Sequence, residues 1–223
     1  MWIDDVILQH AAEAVYVHVF VPETVMVVMA RSTPVRDCFM SRCVQRNIEV
    51  YRRLGGGGAV VLYPGCVVVS AGIWVDREFD NARFFALFSK CFIAVLKEHL
   101  SVEGIYQDGV SDLVSAGRKV AGSSMFRSKR YLLYQASLLV TLDIPLIENI
   151  LAHPSREPDY RRRKSHGDFL LGLCDLNPSL DSDKVAQVMK TYFVVMLKKY
   201  FSSSLAQVDT LHVPYLYKRM ETT

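Results

Sequence analysis

The sequence Arg52-Arg53-Leu54-Gly55-Gly56-Gly57-Gly58-Ala59-Val60-Val61-Leu62-Tyr63-Pro64-Gly65 decides how the chain is interpreted. Glycine permits backbone conformations with φ > 0 and lets the main chain approach a ligand closely. Bare N–H groups in such a loop can form a concave anion site, and guanidinium groups beside it add bidentate donors for phosphate or carboxylate. The stretch therefore predicts either an anion-binding loop that leads into a buried strand or a glycine-rich connector.

Two common nucleotide-binding motifs are excluded at this loop. A P-loop would end in Gly-Lys-Ser/Thr, which is missing here. A dinucleotide fingerprint needs spaced glycines, whereas these four are contiguous. An anion-binding role for this loop would therefore need another geometry.

The length and composition indicate one large globular domain or two small ones, with a substantial core. The 223 residues are 51% hydrophobic and 22% charged, and the net charge of +3 does not favour a nucleic-acid partner. No apolar run is long enough to span a membrane, and Asp4 and Asp5 are atypical of a signal peptide. The 5 cysteines contain no Cys-x-x-Cys pair, which argues against structural zinc and favours free thiols in the cytoplasm.

Hydrophobic periodicity predicts strands and helices without a repeat or an interdomain linker. Strands are expected over residues 15–21, 24–29, 48–51, 60–63, 66–74 and 130–142. Helices are expected over residues 4–14, 34–47, 79–100, 144–151 and 183–201. The predicted fold class is therefore α+β, with a mixed, mostly antiparallel β-sheet flanked by α-helices.

Two further segments carry positive charge near small residues. Gly117 predicts a tight hairpin turn, after which alternation points Val120 to the core and Lys119 away from it. Such a lysine either enters a cleft or lies on the surface of an ordinary hairpin. Residues 161–164 are four consecutive cations, which either remain in solvent or meet a polyanion such as a triphosphate.

Together these segments resemble the lipoate–protein ligase A family, within the biotin/lipoate ligase and octanoyltransferase superfamily. The resemblance extends from residue 25 to about residue 176. Its motifs are an Arg-Arg-x-x-Gly-Gly-Gly-Ala-Val form at residues 52–60, an Asn-Asp form at Ser111-Asp112, a Gly-Arg-Lys-x-x-Gly-Ser form at residues 117–123, and a later strand at residues 134–139. Arg31 stands where the family ends an early strand with Gly-Arg.

The resemblance implies that the chain activates lipoate with ATP and Mg²⁺ and transfers it to a lysine of an acceptor protein. Lys119 is the implied catalytic residue. The implied nucleotide- and phosphate-binding residues are Arg31, Arg53, Gly56, Gly57, Gly58, Ala59, Asp112, Gly122, Ser123, Arg163 and Ser165, with Asp112 also the implied Mg²⁺ ligand. Val68, Ser70, Tyr134 and Ser137 are the implied walls of the acyl-binding slot. The implied acceptor is a lipoyl domain or a glycine-cleavage H-like protein.

Several positions depart from the family pattern. Leu62 replaces a usual histidine, Cys66 and Ser111 replace asparagines, and Ala136 replaces a glycine. We interpret residues 1–223 as a single catalytic domain whose accessory domain, where one is needed, is a separate subunit. Two alternatives remain open: an octanoyl or lipoyl transferase using an acyl-cysteine at Cys174 or Cys66, and a binding module without catalysis.

Overall fold

The computed structural model describes residues 15–75, 80–128, 131–200, 208–210 and 218–219. The predicted helix at residues 4–14 lies outside them. The strands are β1 (Val15–Phe20), β2 (Met26–Ala30), β3 (Glu49–Arg53), β4 (Ala59–Leu62), β5 (Cys66–Trp74), β6 (Tyr106–Asp108), β7 (Asp112–Ser115), β8 (Arg118–Ser128), β9 (Tyr131–Leu139), β10 (Val208–Thr210) and β11 (Lys218–Arg219). The α-helices are α1 (Met40–Gln45), α2 (Asn81–Leu100), α3 (Ile144–Ile150), α4 (His166–Phe169), α5 (Leu173–Leu176), α6 (Ser182–Val188) and α7 (Val194–Tyr200).

The strands form two sheets. The larger has the order β10-β1-β5-β9-β8-β7-β6, and its neighbours are antiparallel except for the parallel pair β1–β10. The smaller has the order β11-β3-β2-β4, with β2 and β3 parallel. This architecture confirms the predicted α+β class, although the sequence pattern did not separate the strands into two sheets.

The long helix α2 covers one face of the large sheet. Its buried Phe84, Phe88 and Phe92 contribute to the main core, as its apolar periodicity predicts. Tyr134 of β9 stacks on Phe88, with ring centroids 3.9 Å apart. The opposite face of this sheet packs against the small sheet through a second apolar cluster formed by Phe20, Met26, Val28, Leu62, Val68 and Leu133. That cluster forms the inner end of the cavity described below.

The helix predicted over residues 34–47 is divided in two. Val35–Asp37 forms a 3₁₀ turn and Met40–Gln45 forms α1, while Cys38 between them is extended and bridges to Leu151. The break occurs because Asp37 turns inward and accepts hydrogen bonds from Ser155, which an uninterrupted helix would not allow. The prediction of one continuous helix here is therefore wrong.

The end of the chain also differs from expectation. The predicted helix over residues 183–201 contains a π-helical turn, Met189–Phe193, between α6 and α7. β10 and β11 follow it, where the sequence indicated no organisation. Within the described ranges, no helix combines the length and the hydropathy needed to cross a bilayer.

Candidate functional site

A cavity of about 630 Å³ opens between the two sheets and the loop at residues 154–161. The glycine loop forms one side of it, and β7 and β8 form another. Its volume lies within the range usual for small-molecule sites. Eleven of the sixteen predicted site residues line it: Arg53, Gly56, Gly57, Gly58, Ala59, Val68, Asp112, Lys119, Gly122, Ser123 and Ser137.

Lys119 is held at the cavity by an ion pair. Its Nζ lies 2.8 Å from Oδ1 of Asp112, and the hydroxyl of Tyr160 donates to Oδ2 of the same carboxylate at 2.8 Å. Burial and the charge of Asp112 raise the pKa of Tyr160, so the phenol stays protonated and remains a donor. Both oxygens of Asp112 are therefore engaged, and the ammonium of Lys119 has a fixed position.

A β-bulge places Lys119 above Gly122. Val114 pairs with Lys119 whereas Leu113 pairs with Ala121, so Val120 is an extra residue in β8. Val120 and Ala121 are both buried in the core, and the alternation of side chains resumes out of phase after them. A Cβ at Gly122 would lie 2.7 Å from Lys119 Nζ, so the ammonium occupies space that only glycine leaves open.

The glycine loop is held in shape by Arg53, which lies just before it in the sequence. Arg53 is 8% exposed, and its guanidinium donates to the carbonyl oxygens of Val28, Gly56 and Gly58. Gly57 has φ +101°, which disfavours any other residue, and Thr33 donates to its carbonyl. Arg53 therefore brings positive charge to the cavity, but much of its donor capacity serves to hold the loop.

Arg161 is the buried cation of the basic loop. It is 5% exposed, its Nε donates to the carbonyl of Lys164, and its guanidinium lies 4.6 Å from the centroid of Phe169. Burial lowers the pKa of Arg161. Among the described residues, nothing hydrogen-bonds to its buried Nη2, although Arg161 lines the cavity. A buried N–H without a partner is costly, and an anion in the cavity would satisfy it.

Two carboxylates hold the rest of this loop. Asp37 accepts hydrogen bonds from the backbone N–H and the hydroxyl of Ser155. Glu157 accepts from the backbone of Arg163 and lies close to His153 and Arg161. Behind the loop, burial and the charge of Arg161 lower the pKa of His166 to about 4, so this imidazole is neutral at pH 7.

The inner end of the cavity is apolar on one wall. Val28, Val60, Leu62 and Val68 line it from three strands. Gln135 and Ser137 of β9 add polar groups, and Gln135 lies 3.5 Å from the hydroxyl of Ser70. Leu62, which replaces the histidine usual in the resembled family, is buried in this wall and makes it continuous with the apolar cluster between the sheets. The cavity is thus apolar at one end and cationic at the other.

Five predicted residues lie away from the cavity lining. Tyr134 faces α2 in the core, and Ser70 lies beneath Gln135. Arg31 is exposed at the end of β2. Arg163 is exposed with φ 59°, and the side chain of Ser165 caps α4 by accepting from Asp168 N–H. Strand alternation explains Tyr134, because it places that residue on the face opposite Gln135.

The cysteine alternative lacks a nucleophile at the cavity. All five cysteines fall within the described residues, and none of them lines it. Cys66 is fully buried, and burial raises its pKa to about 12, which suppresses the reactive thiolate. Cys174 is partly exposed, but its Sγ contacts the carbonyl of Leu180 and the hydroxyl of Thr141.

Sequence reasoning missed Tyr160 and Asp37, and it named Arg161 only as one of the four cations at residues 161–164. A signal for Tyr160 was present, because it is the aromatic residue next to that run of cations. Tyr160 and Arg161 belong to a 3₁₀ turn, Asp159–Arg161, that directs Tyr160 toward Asp112 and Arg161 toward Phe169. Asp37 gave no such signal, because its role depends on Ser155, which is remote in sequence.

Comparisons with known proteins agree with this geometry. The family model for the lipoyl protein ligase A/B catalytic domain matches residues 1–194. A bipartite lipoate protein ligase of Thermoplasma acidophilum, studied with its E2 lipoyl domain, superposes with a TM-score of 0.74 at 16% identity, covering 93% of this chain and 78% of that chain. A putative lipoate protein ligase of the same organism with bound lipoic acid gives 0.72 at 16% identity, with coverages of 93% and 81%. A lipoate-protein ligase A bound with ATP gives 0.73 at 17% identity, again with 93% and 81%.

Proposed function

We propose that this chain, which belongs to the lipoyl protein ligase A/B catalytic-domain family, is an ATP-dependent lipoate–protein ligase. In the first step the carboxylate of lipoate attacks the α-phosphorus of ATP, forming lipoyl-AMP and releasing pyrophosphate. In the second step the ε-amine of an acceptor lysine attacks the acyl carbonyl, forming an amide and releasing AMP. The two steps need one site that holds an apolar acyl chain and a polyanion side by side.

The observation that carries this proposal is the division of the cavity into an apolar and a cationic end. Val28, Leu62 and Val68 offer a slot for the acyl chain. At the other end lie Lys119 and Arg161, whose buried Nη2 has no hydrogen-bond partner among the described residues. A buried guanidinium N–H without a partner indicates a ligand anion, and the phosphates of ATP have the right charge and acceptor geometry.

Lys119 has the central role in this scheme. Its ammonium is positioned to stabilise negative charge on the phosphate oxygens in the first step and on the acyl oxygen in the second. Its ion pair with Asp112, which Tyr160 supports, fixes it in place. The glycine loop would bring main-chain N–H groups close to the ligand, with Arg53 adding positive charge. We assign the loop's phosphate contact to Arg161 rather than to the exposed Arg163.

The residues present fit Mg²⁺ only as a partner of bound phosphates. Among the described residues, no three His, Cys, Asp or Glu side chains are grouped as a metal cage. Mg²⁺ commonly takes one or two carboxylates and completes its shell with phosphates and water. Asp112 is the carboxylate that would serve, and this would require it to give up or share the contact from Tyr160.

The acceptor in this proposal is a lipoyl domain or a glycine-cleavage H-like protein, in a cytoplasmic setting. The Thermoplasma acidophilum ligase was studied with its E2 lipoyl domain, which supports this class of acceptor. That ligase is described as bipartite, which motivates a test for an accessory subunit as well. We treat the chain as one catalytic domain in designing the experiments.

The test is to incubate the purified protein with Mg²⁺, ATP and either lipoate or octanoate, without acceptor. Pyrophosphate release and bound acyl-adenylate are measured. We expect adenylate that depends on the acyl acid, and a loss of about 100-fold or more in its rate for Lys119→Ala. The matched control is Lys198→Ala, because Lys198 is an exposed lysine on α7.

Two outcomes would overturn the proposal. If no adenylate forms but acyl groups pass from a carrier protein without ATP, and a cysteine substitution abolishes this transfer, the chain is a transferase. If lipoate binds with no turnover toward any acceptor or accessory subunit, the chain is a binding module. Rapid adenylation by Lys119→Ala would remove the assignment of Lys119.

A further inference from the structure

The crossover between β2 and β3 exposes a set of arginines that the cavity does not use. Residues 31–47 contain Arg31, Arg36, Arg42 and Arg46, all exposed, and no lysine. Their only carboxylate, Asp37, is buried and faces Ser155. The segment therefore places four positive charges on the surface with no exposed negative charge between them.

Among the described residues, these arginines have no acidic partner, and two of them are held in place by neutral groups. The ion pairs in the described part of the chain join Lys119, His153 and Arg161 to carboxylates and include none of the four. Arg36 donates to the hydroxyl of Ser155 at 3.3 Å, and Arg42 donates to the carbonyl of Asn149 at 2.9 Å. The guanidinium of Arg42 also lies over the ring of Phe39. Their charge is thus oriented but not neutralised.

Two valines add apolar surface to the same segment. Val35 is 47% exposed and Val44 is 54% exposed, although both are large hydrophobic residues. Protein interfaces are enriched in arginine and depleted in lysine, and they bury apolar side chains at their centre. We call Arg31, Val35, Arg36, Arg42, Val44 and Arg46 the arginine face.

The arginine face adjoins residues that line the cavity. Thr33, Pro34 and Asp37 belong to the same segment and line the cavity. Arg36 contacts Ser155, and the next residue, Arg156, lines the cavity from the loop. A protein bound to the arginine face would therefore have its surface next to one wall of the cavity.

We propose that the arginine face docks the acceptor protein domain through an acidic surface next to its acceptor lysine. This inference rests on the proposed function and adds to it the place and the chemistry of acceptor binding. Complementary charge speeds association and orients the partner, while Val35 and Val44 are covered in the complex. Nucleic acid is the poorer fit, because the chain carries a net charge of only +3 and exposed valines interrupt the cations.

The test separates the two half-reactions with Arg42→Glu/Arg46→Glu, whose residues contact neither the cavity nor its loop. We expect adenylate formation without acceptor to stay within about twofold of the original chain. We expect the KM for an unmodified lipoyl domain to rise about tenfold or more and the kcat to change little, with a weaker salt dependence than in the original chain. Lys198→Glu/Lys199→Glu, a matched charge reversal on α7, should leave the KM for the acceptor unchanged.

A charge swap gives the second arm of the experiment. In this arm, carboxylates beside the acceptor lysine of the lipoyl domain are changed to lysine. The KM for this altered lipoyl domain should rise with the original ligase, and it should return toward the original value with Arg42→Glu/Arg46→Glu. An unchanged KM in the ligase variant overturns the docking proposal while the proposed function stands. The docking proposal is also overturned if the ligase variant loses binding to duplex DNA or to anionic vesicles while its transfer to the acceptor is unaffected. If the original chain forms no adenylate, the proposed function fails, and equilibrium binding of the lipoyl domain to both chains still decides the docking proposal.

Discussion

The strand-borne half of the cavity and its loop-borne half hold their functional groups by different means. Lys119, Asp112 and Gly122 belong to β7 and β8, where the ladder of backbone hydrogen bonds fixes their positions. The loop at residues 154–165 is held mainly by side chains, through Asp37 with Ser155, Asp112 with Tyr160, and Glu157 with the backbone of Arg163. The Asp112–Tyr160 contact is where the two halves meet.

The difference indicates which half adapts to a ligand. A strand in the middle of a sheet cannot shift without breaking several backbone hydrogen bonds at once. A side-chain hydrogen bond contributes about 1 kcal/mol net, so the loop can exchange its contacts for contacts with a ligand. We therefore expect substitutions in the strands to act on the rate of the chemical step and substitutions in the loop to act on nucleotide binding.

Gly122→Ala should have the largest effect, because it disturbs the position of Lys119 in the strand-borne half. Its Cβ would lie 2.7 Å from Lys119 Nζ and would displace the ammonium from Asp112. A misplacement of about 1 Å can lower a rate about 100-fold, so we expect a loss of that order in the kcat of adenylate formation. Gly167→Ala is the control, because its Cβ would meet Ile144 at an ordinary 3.4 Å. An unchanged kcat would show that the position of Lys119 is not set by Gly122.

Arg161→Gln should have the next largest effect and tests the loop-borne half. It removes a buried cation that lines the cavity, so the KM for ATP should rise about 10-fold or more while the KM for lipoate changes little. Arg163→Gln is the matched control and should change the KM for ATP by less than about twofold, because Arg163 is exposed away from the cavity. The reverse order of effects would restore the sequence-based choice of Arg163.

Tyr160→Phe should have a smaller effect, because it deletes only the bond between the two halves. The loss of one hydrogen bond to Asp112, about 1 kcal/mol, corresponds to a fall of about fivefold in kcat/KM for ATP. Limited proteolysis should also cut the loop at residues 154–165 faster than in the original chain. Tyr106→Phe, an exposed tyrosine on β6, should change neither measurement. A full effect on kcat alone would place Tyr160 with the strand-borne half.

The smallest effect we expect is on the pH dependence of thermal stability, through His166, which follows the loop at residues 154–165. The folded-state pKa of His166 is about 4, below its ordinary value of 6.5, because the site is buried and near Arg161. The unfolded chain thus binds a proton more readily, so the contribution of His166 is complete above pH 6.5 and is lost as the pH falls toward 4. His166→Asn should flatten the fall of Tm over this range, whereas His99→Asn on α2 should not. Thermal unfolding at a series of pH values measures it.

Local signals predicted the backbone of the strand-borne half, whereas its site residues came from the family resemblance. Gly117 lies in the turn between β7 and β8, and alternation correctly directed Val120 to the core and Lys119 away from it. Alternation did not predict the bulge at Val120, which depends on pairing with β7 and brings Gly122 beneath Lys119. The family resemblance placed Tyr134 at the acyl slot, while its stacking on Phe88 depends on a helix far away in the sequence.

The loop-borne half was predicted only in outline. The run of cations at residues 161–164 indicated an anion, but each has the same charge, so charge alone could not select among them. The choice is made by burial: Arg161 packs on Phe169 while Arg162 and Arg163 take left-handed backbone conformations and face solvent. Likewise, the inward turn of Asp37 requires Ser155, and no sequence pattern links these two distant residues.

The short strands β10 and β11 have a consequence for self-association. β10 pairs with β1 and β11 pairs with β3, so each lies along the outer strand of a different sheet. Without them, β1 and β3 would present rows of unpaired N–H and C=O groups, which template the addition of further strands from other chains. β10 and β11 thus serve as short edge strands, which limit edge-to-edge aggregation, and a chain shortened before residue 208 would expose the longer edges of β1 and β3.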